Sequence, residues 1–444
     1  MLSSLDRPVW YDEVFTLDAT RGPRSESLDV WRGDVHPPLY YLIVSLFRSL
    51  ASADYAILLG RLVNLLFLAV AAVAVIMVDQ RLGRRCSVIL VGLLLANSSV
   101  AYFSVELRSY FGMMALSLLM TVALTFGRGR VDFVIGLVSS VALSQLHFFG
   151  TAMALATIGW HFLVASKEGR RCHAFAFATC GIAMVIGFAL WVMMSLPRMQ
   201  YIAENGFWIT RVELAAITFA SSLAMVASLG ALLGLISLAA RGQVVSREVG
   251  SLALPALTVL VVTHLLSIYQ PIITPRNLLV LLPSLALIGM WGLQAVNPRV
   301  IVDAVLVGFI ALQLPFLHLQ FQPRENAEAI AELALNEDCS GKPMAAPKVD
   351  HHHWERLAAV FERPTRPTLE PSELIDALRA EPMLMGQCKM LAADHNLSGW
   401  IYSYVTDLER AGVPVSLEYV LSPRANRVHG LTIVLTPGIE AFGL

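Results

Sequence analysis

Long apolar runs separated by short polar connectors fill the first three quarters of the chain. They lie at about residues 61–79, 87–105, 109–126, 131–147, 150–165, 174–196, 213–239, 251–269, 277–295 and 299–318. A helix needs about 20 apolar residues to cross a hydrocarbon core about 30 Å thick. The pattern therefore predicts about ten membrane spans. The run at 150–165 is short and also reads as half of a bent hairpin with its predecessor. Residues 38–50 are apolar but too short to span; Tyr40 and Tyr41 suit the aromatic belt, so an interfacial helix is expected, with Pro37 and Pro38 at its start. From about residue 321 the pattern turns to amphipathic segments rich in Pro, Glu, Asp and His. Helices are predicted there near 325–336, 355–361, 372–380 and 398–411, and strands near 388–393, 415–420 and 430–436. That order suggests a small soluble α/β domain. The expected fold is thus an all-α polytopic membrane bundle with a soluble tail, divided into a first outer loop at 1–60, a transmembrane domain at 61–320 and the tail at 321–444.

Composition agrees. Of the 444 residues, 56% are hydrophobic and 15% charged, and the mean hydropathy is +0.65. Soluble domains sit near 45–50% apolar and about 25% charged, so the excess must face lipid. The net charge of −1 gives no reason to expect a nucleic-acid partner. Placement of the positive charge says more. Arg81, Arg84 and Arg85, then Arg128 and Arg130, then Lys167, Arg170 and Arg171, then Arg241 and Arg247, then Arg299 fill alternate connectors. The intervening connectors hold only Arg108, Arg198, Arg211 and Arg276. Cytoplasmic loops collect Lys and Arg. The second set, residues 1–60 and the tail are therefore expected outside the cytoplasm. An exported N-terminus with no apolar leader in residues 1–10 suggests a further helix ahead of this sequence.

Of five cysteines, only Cys339 and Cys388 fall in the expected exported tail, where a disulfide between them would persist; two buried thiols are the other reading. His351, His352 and His353 are contiguous, and on a strand they would point to opposite faces, so a solvated tract is expected rather than a metal site.

The polar residues of the outer connectors carry the chemistry. They are Asp12-Glu13 beside Trp10 and Tyr11; Asp34-Val35-His36-Pro37-Pro38-Leu39-Tyr40-Tyr41; Glu106-Leu107-Arg108-Ser109-Tyr110; Gln145-Leu146-His147; and Pro275-Arg276-Asn277. Ionisable residues at membrane depth are costly and usually functional, and these gather on one side.

The Asp-Glu pair, the Asp-x-His-Pro-Pro-Leu-Tyr-Tyr run and the Glu-x-Arg-x-Tyr run resemble the polyprenyl-phosphate-dependent glycosyltransferases of the GT-C superfold. The similarity is to the protein O-mannosyltransferase-like group, with the aminoarabinose transferases and Rgt-type enzymes, over about residues 8–320. It implies a lipid-linked sugar donor, transfer with inversion to a glycan, lipid or protein acceptor, and an active site beneath the first outer loop. A lipid phosphate departs without much acid assistance. What remains is a carboxylate to take the acceptor proton and donors to hold the phosphate as charge builds on it.

Asp12 is the first choice for that base, although Asp also suits a helix cap. Asp34 is the second, or a partner for His36, against an ordinary turn before Pro37. Glu13 is expected to orient a loop or bind acceptor, and His36 to donate to phosphate or brace Asp34. Glu106 and Arg108, two apart, do not share a helix face, but at a helix end they suit a loop acid and a phosphate ligand. Tyr110 reads equally as a ligand or a belt aromatic, and His147 as a phosphate contact or a locally satisfied helix end. Arg276 sits where positive charge is disfavoured and suits bidentate phosphate recognition. No glycine pattern for a nucleotide phosphate occurs, and no metal or other cofactor is expected. Two other classes compete. A transporter or lipid flippase would bring paired repeats or midplane acids, and a catalytically silent envelope scaffold would act through the tail.

Overall fold

The structure is a computed structural model. It describes residues 9, 11–22, 24–32, 34, 36–50, 56–95, 97–205, 232, 247–269, 272–274, 276–294, 299–321, 331, 335, 339–345, 351–380, 390–394, 406–407, 410, 415–420 and 431–437. By its contacts the chain divides into two compact units, Met1–Pro23 with Phe321–Leu444, and Arg24–Gln320.

The larger unit is helical. Its helices are Arg24–Arg32, Leu39–Arg48, Ala56–Leu82, Arg84–Leu95, Ser98–Phe103, Tyr110–Phe126, Arg130–Ser144, Phe148–Lys167, Arg171–Asn205, Arg247–Tyr269, Leu282–Leu293 and Arg299–Phe321, with a 3₁₀ turn at Asn277–Leu281. Four stretches among the described residues are long and apolar enough to cross a membrane: Ile57–Leu82, Phe148–Lys167, Arg171–Pro197 and Arg247–Tyr269. Tyr110–Phe126, Asn277–Leu293 and Val302–Pro315 are apolar but shorter. The run at 213–239 lies outside the described residues.

Burial separates the helices into two kinds. Tyr110–Phe126 is buried at every position except Leu124 and Thr125. It packs against Ala56–Leu82, Arg130–Ser144 and the Asn277–Leu281 turn. A helix apolar on all sides belongs at the centre of such a bundle. Arg171–Asn205 lies at the rim and exposes Phe175, Ile182, Leu190 and Met193; Arg247–Tyr269 exposes Leu257, Leu265 and Ile268. In water such surfaces would be an aggregation hazard; in lipid they are the solvated face. The protein is an integral membrane protein.

Two expectations need correction. The run at 87–105 is two helices, because Asn97 ends the first stretch and caps the second, its side chain accepting from the Ser99 N–H at 3.0 Å. Asn at an N-cap satisfies a donor that the broken helix leaves orphaned. The run at 150–165 is longer than its apolar stretch suggests, a 20-residue helix, Phe148–Lys167, begun by His147, and it packs against its predecessor Arg130–Ser144.

Charges at one end of this unit pair across helices. Arg81 meets Asp132 at 2.7 Å, and Arg247 meets Glu168 at 2.5 Å. Each pair thus joins two of the connectors rich in Arg and Lys. Tyr110–Phe126, 17 residues or about 25 Å long, carries the chain from that end to Arg108 and Tyr110.

In the smaller unit, helix Tyr11–Ala19 packs against His351–Val360. Their apolar sides supply the buried Val14 and Leu17, and Trp354, Leu357 and Ala358. The His351–His353 tract begins this helix rather than lying on a strand. Met344–Ala345 pairs in parallel with Thr368–Leu369. The Arg366 guanidinium fastens this region by donating to the Lys342 and Pro343 carbonyls, each at 2.9 Å; burial draws its pKa down to about 10. Leu431–Pro437 is the central strand of a second sheet, flanked antiparallel by Met390–Asp394 and Val415–Val420. Helix Pro371–Ala380 falls where the amphipathic pattern puts it. Cys339 is buried and disulfide-bonded; Cys388, its expected partner, lies outside the described residues, as does nearly all of 325–336 and 398–411.

Candidate functional site

Seven candidate residues were expected at the outer surface of the bundle unit's chain, and the fold brings six of them into one linked cluster. Asp34 follows helix Arg24–Arg32, its N–H bonded to the Trp31 carbonyl at 3.0 Å. The Tyr41 hydroxyl, one turn into helix Leu39–Arg48, donates to the Asp34 carboxylate. Trp31 stacks on the Tyr41 ring, 6.3 Å between centroids. Both ends of the segment from Asp34 to Tyr41 are thus held.

Between those ends, the His36 ring stacks on His147 at 4.3 Å and 28°. A backbone bond from Leu39 N–H to the Gln145 carbonyl, 3.1 Å, fixes this approach. His147 lies in the connector between two helices and is 1% exposed. Its Nδ1 accepts the Phe149 N–H at 3.2 Å and so caps helix Phe148–Lys167. Burial, the His36 ring, and the Arg108 and Arg276 guanidiniums hold this imidazole well below its ordinary pKa, against the pull of Asp34. The ring is neutral. With Nδ1 accepting, the proton resides on Nε2, which is buried and has no hydrogen-bond partner among the described residues. The ring that carries it is fixed by its stack on His36 and its approach to Tyr110.

The Tyr110 ring is 5.6 Å from His147. Arg276 lies over that ring at 5.4 Å and Arg108 at 5.9 Å. Each cation is positioned by its own loop. Arg108 sits in a tight turn in which its N–H bonds the Glu106 carbonyl at 2.8 Å. Asn64 of helix Ala56–Leu82 donates to the same carbonyl at 2.6 Å. Arg276 precedes the 3₁₀ turn. Asn277 ties that loop by donating to the Ile272 carbonyl at 2.9 Å, and Ser117 of the central helix bonds the Val280 carbonyl at 2.8 Å. Glu106 is fully buried beneath the turn.

Asp12 and Glu13 lie on helix Tyr11–Ala19 in the other compact unit. Glu13 is fully buried.

Three residues escaped the reading of the sequence. Tyr41 stood within the quoted motif but was read only as a belt aromatic, since only the structure folds it back onto Asp34. Asn64 and the buried Arg61 interrupt an otherwise apolar helix. Three apart, they share a helix face. Polar residues at such depth in a span were themselves the available signal.

The assembled end of the bundle can hold an anion. Two guanidiniums and the ring of a buried histidine lie around Tyr110, and donors held in place in a partly buried site act more strongly than in bulk water.

No protein-family model matches the chain, and no curated protein matches it either. Solved structures do. The crystal structure of apo ArnT from Cupriavidus metallidurans superposes with a TM-score of 0.58 at 13% identity, covering 97% of this chain and 95% of that one. The structure of ArnT from the same organism bound to undecaprenyl phosphate gives 0.51 at 13% identity, covering 98% and 95%. The likeness is one of fold and runs nearly end to end. The chain has a fold similar to that of ArnT over nearly its whole length.

Proposed function

We propose that this protein is a membrane glycosyltransferase that moves a sugar from a polyprenyl-phosphate donor to an acceptor hydroxyl, with inversion, at the extracytoplasmic face. One observation carries the reading: Arg108, Arg276 and the His147 Nε2–H gather around Tyr110 at the end of the bundle away from the Arg81 and Arg247 ion pairs. The occupant such a cluster suits is a phosphate at the membrane surface, and undecaprenyl phosphate is the ligand bound in one of the similar structures.

In this reading residues 1–60 form the catalytic outer loop, residues 61–320 the roughly ten spans, and residues 321–444 the extracytoplasmic tail. Arg108 and Arg276 neutralise the phosphate, and His147, His36 and Tyr110 line it. Asp34, restrained by Tyr41, faces the donor. Asp12 is the base, with Glu13 and Glu106 orienting the loops that carry it and Arg108. The acceptor oxygen attacks the anomeric carbon as the bond from that carbon to the phosphate oxygen breaks. The acceptor proton passes to the Asp12 carboxylate, and the lipid phosphate leaves as an anion. Loss of a general base costs about 10²–10⁴-fold.

Membranes holding the protein, mixed with radiolabelled polyprenyl-phosphate sugars, test this directly. Wild type should consume one donor, and Asp12→Asn should slow it by about 10³-fold. If Asp34→Asn is the silent variant and Asp12→Asn is not, the base is Asp34. If folded wild type consumes none across pentosyl and hexosyl donors, the transferase reading fails.

A further inference from the structure

The soluble tail has a structural relation to the helix that bears Asp12. Residues 1–23 group with the tail rather than with the bundle. Helix Tyr11–Ala19 lies against helix His351–Val360, and one side chain fixes the pair. Arg356 places its guanidinium carbon 4.4 Å from the Phe15 ring centroid and its Nε 3.6 Å from the Asp18 carboxylate. Both side chains of the ion pair are largely covered, at 19% and 17% exposure. Around them Val14, Leu17, Trp354, Leu357 and Ala358 are buried. Phe15 and Asp18 are three apart and share a face, so a single guanidinium grips one side of a nine-residue helix. A helix that short has little stability of its own; its order depends on what it packs against.

We infer that the tail serves to hold the Asp12–Glu13 helix, and that Arg356 is the positioning residue through which it does so. This rests on the reading of Asp12 as base. The tail then belongs to the catalytic machinery even if it never touches the sugar. The energetics identify the informative variants. Burial raises the Asp18 pKa, opposed by Arg356 and then Arg21. A partly buried pair gives little net stability, but removing Arg356 leaves the partly buried Asp18 charge opposed by Arg21 alone and costs more than the pair contributed. Arg356→Ala should therefore loosen the helix, and adding Asp18→Asn, which removes the stranded charge, should restore part of the loss.

Two readouts on the full-length protein in membranes test this. Hydrogen exchange needs no activity: in Arg356→Ala the amides of Tyr11–Ala19 should exchange at least tenfold faster, while those of Pro371–Ala380 stay unchanged and Cys339 stays closed to alkylation. In donor consumption, kcat should fall about tenfold with the donor KM unmoved, because the phosphate-binding residues lie in the other unit. Arg356→Ala/Asp18→Asn should recover part of both. Unchanged exchange of Tyr11–Ala19 in Arg356→Ala would overturn the inference whatever the activity. So would faster exchange throughout the tail with Cys339 exposed, which marks simple unfolding. Faster helix exchange with kcat unaltered would leave Arg356 a structural clamp and refute the catalytic link. A wild type with no activity but the predicted exchange pattern would count against the transferase, not against the clamp.

Discussion

The two ends of the helical bundle carry similar residue types and treat them in opposite ways. At one end Arg81 pairs with Asp132 and Arg247 with Glu168. Those arginines are 31% and 49% exposed, and Asp132 also accepts the Arg128 and Gly129 N–H groups at 2.8 and 3.3 Å. Each charge there has a local answer. At the other end Arg108 is 8% exposed, and it shares one aromatic ring with a second guanidinium and a neutral histidine. Asp34 acts on the same histidine, so the charges at this end meet in one shared cluster rather than in separate exposed pairs. The clustered end is, in the proposed reading, where the donor phosphate binds.

The sharpest way to break this comparison is to remove a cation from each end. At the clustered end, Arg276→Ala or Arg108→Ala should lower kcat/KM for the lipid donor by about 10²–10³-fold, the usual cost of one preorganised donor at a site of developing charge. Arg276→Lys should recover only part, since a point charge lacks the planar fork. Radiolabelled donor turnover in membranes measures both. A loss under tenfold for each alanine variant would mean that the pair does not hold phosphate.

A smaller effect is expected one residue deeper. His147→Phe keeps the ring that stacks on His36 and removes the Nε2 donor together with the cap on the Phe149 N–H. The expected result is about a tenfold loss of kcat, roughly 1.4 kcal/mol. The cap contributes separately, about 1 kcal/mol of stability, readable as a lower melting temperature. His147→Asn, which retains a capping side chain but not the ring, should restore the melting temperature and not the rate. Equal rates for all three proteins would return His147 to the plain role of a helix end.

Much of this arrangement was legible before any coordinates. Apolar runs of span length placed the helices near 61–79, 109–126, 131–147, 174–196, 251–269, 277–295 and 299–318, because lipid imposes length and apolarity on every span. Asn97 was misread inside an apolar run, since a single capping residue breaks a helix without changing the mean hydropathy. Helices Tyr11–Ala19 and Arg24–Arg32 were not expected within the first loop; short amphipathic helices take their stability from packing rather than propensity. For the site, residue types could be read, so Asp34, His36, Glu106, Arg108, Tyr110, His147 and Arg276 were all named. Pairing could not. Tyr41 returning to Asp34, His36 meeting a histidine 111 positions away (147 − 36), and Asn64 bracing the Arg108 turn are products of helix packing that no local pattern encodes.

The smallest effect belongs to the paired end, and it controls for all the others. Arg81→Ala removes one guanidinium from a contact of 2.7 Å, a better distance than any ring contact at the clustered end. If contact distance measured importance, it would be the most damaging substitution. It should be the mildest. Arg81 is a third exposed, so water takes over much of its role, and Asp132 keeps two backbone donors. Partly exposed pairs contribute about 1 kcal/mol or less. The melting temperature should shift by only a degree or two, and donor turnover should stay within twofold of wild type. An activity loss matching that of Arg276→Ala, with the melting temperature unchanged, would show that total charge rather than its enclosure governs the protein, and the contrast between the two ends would fall.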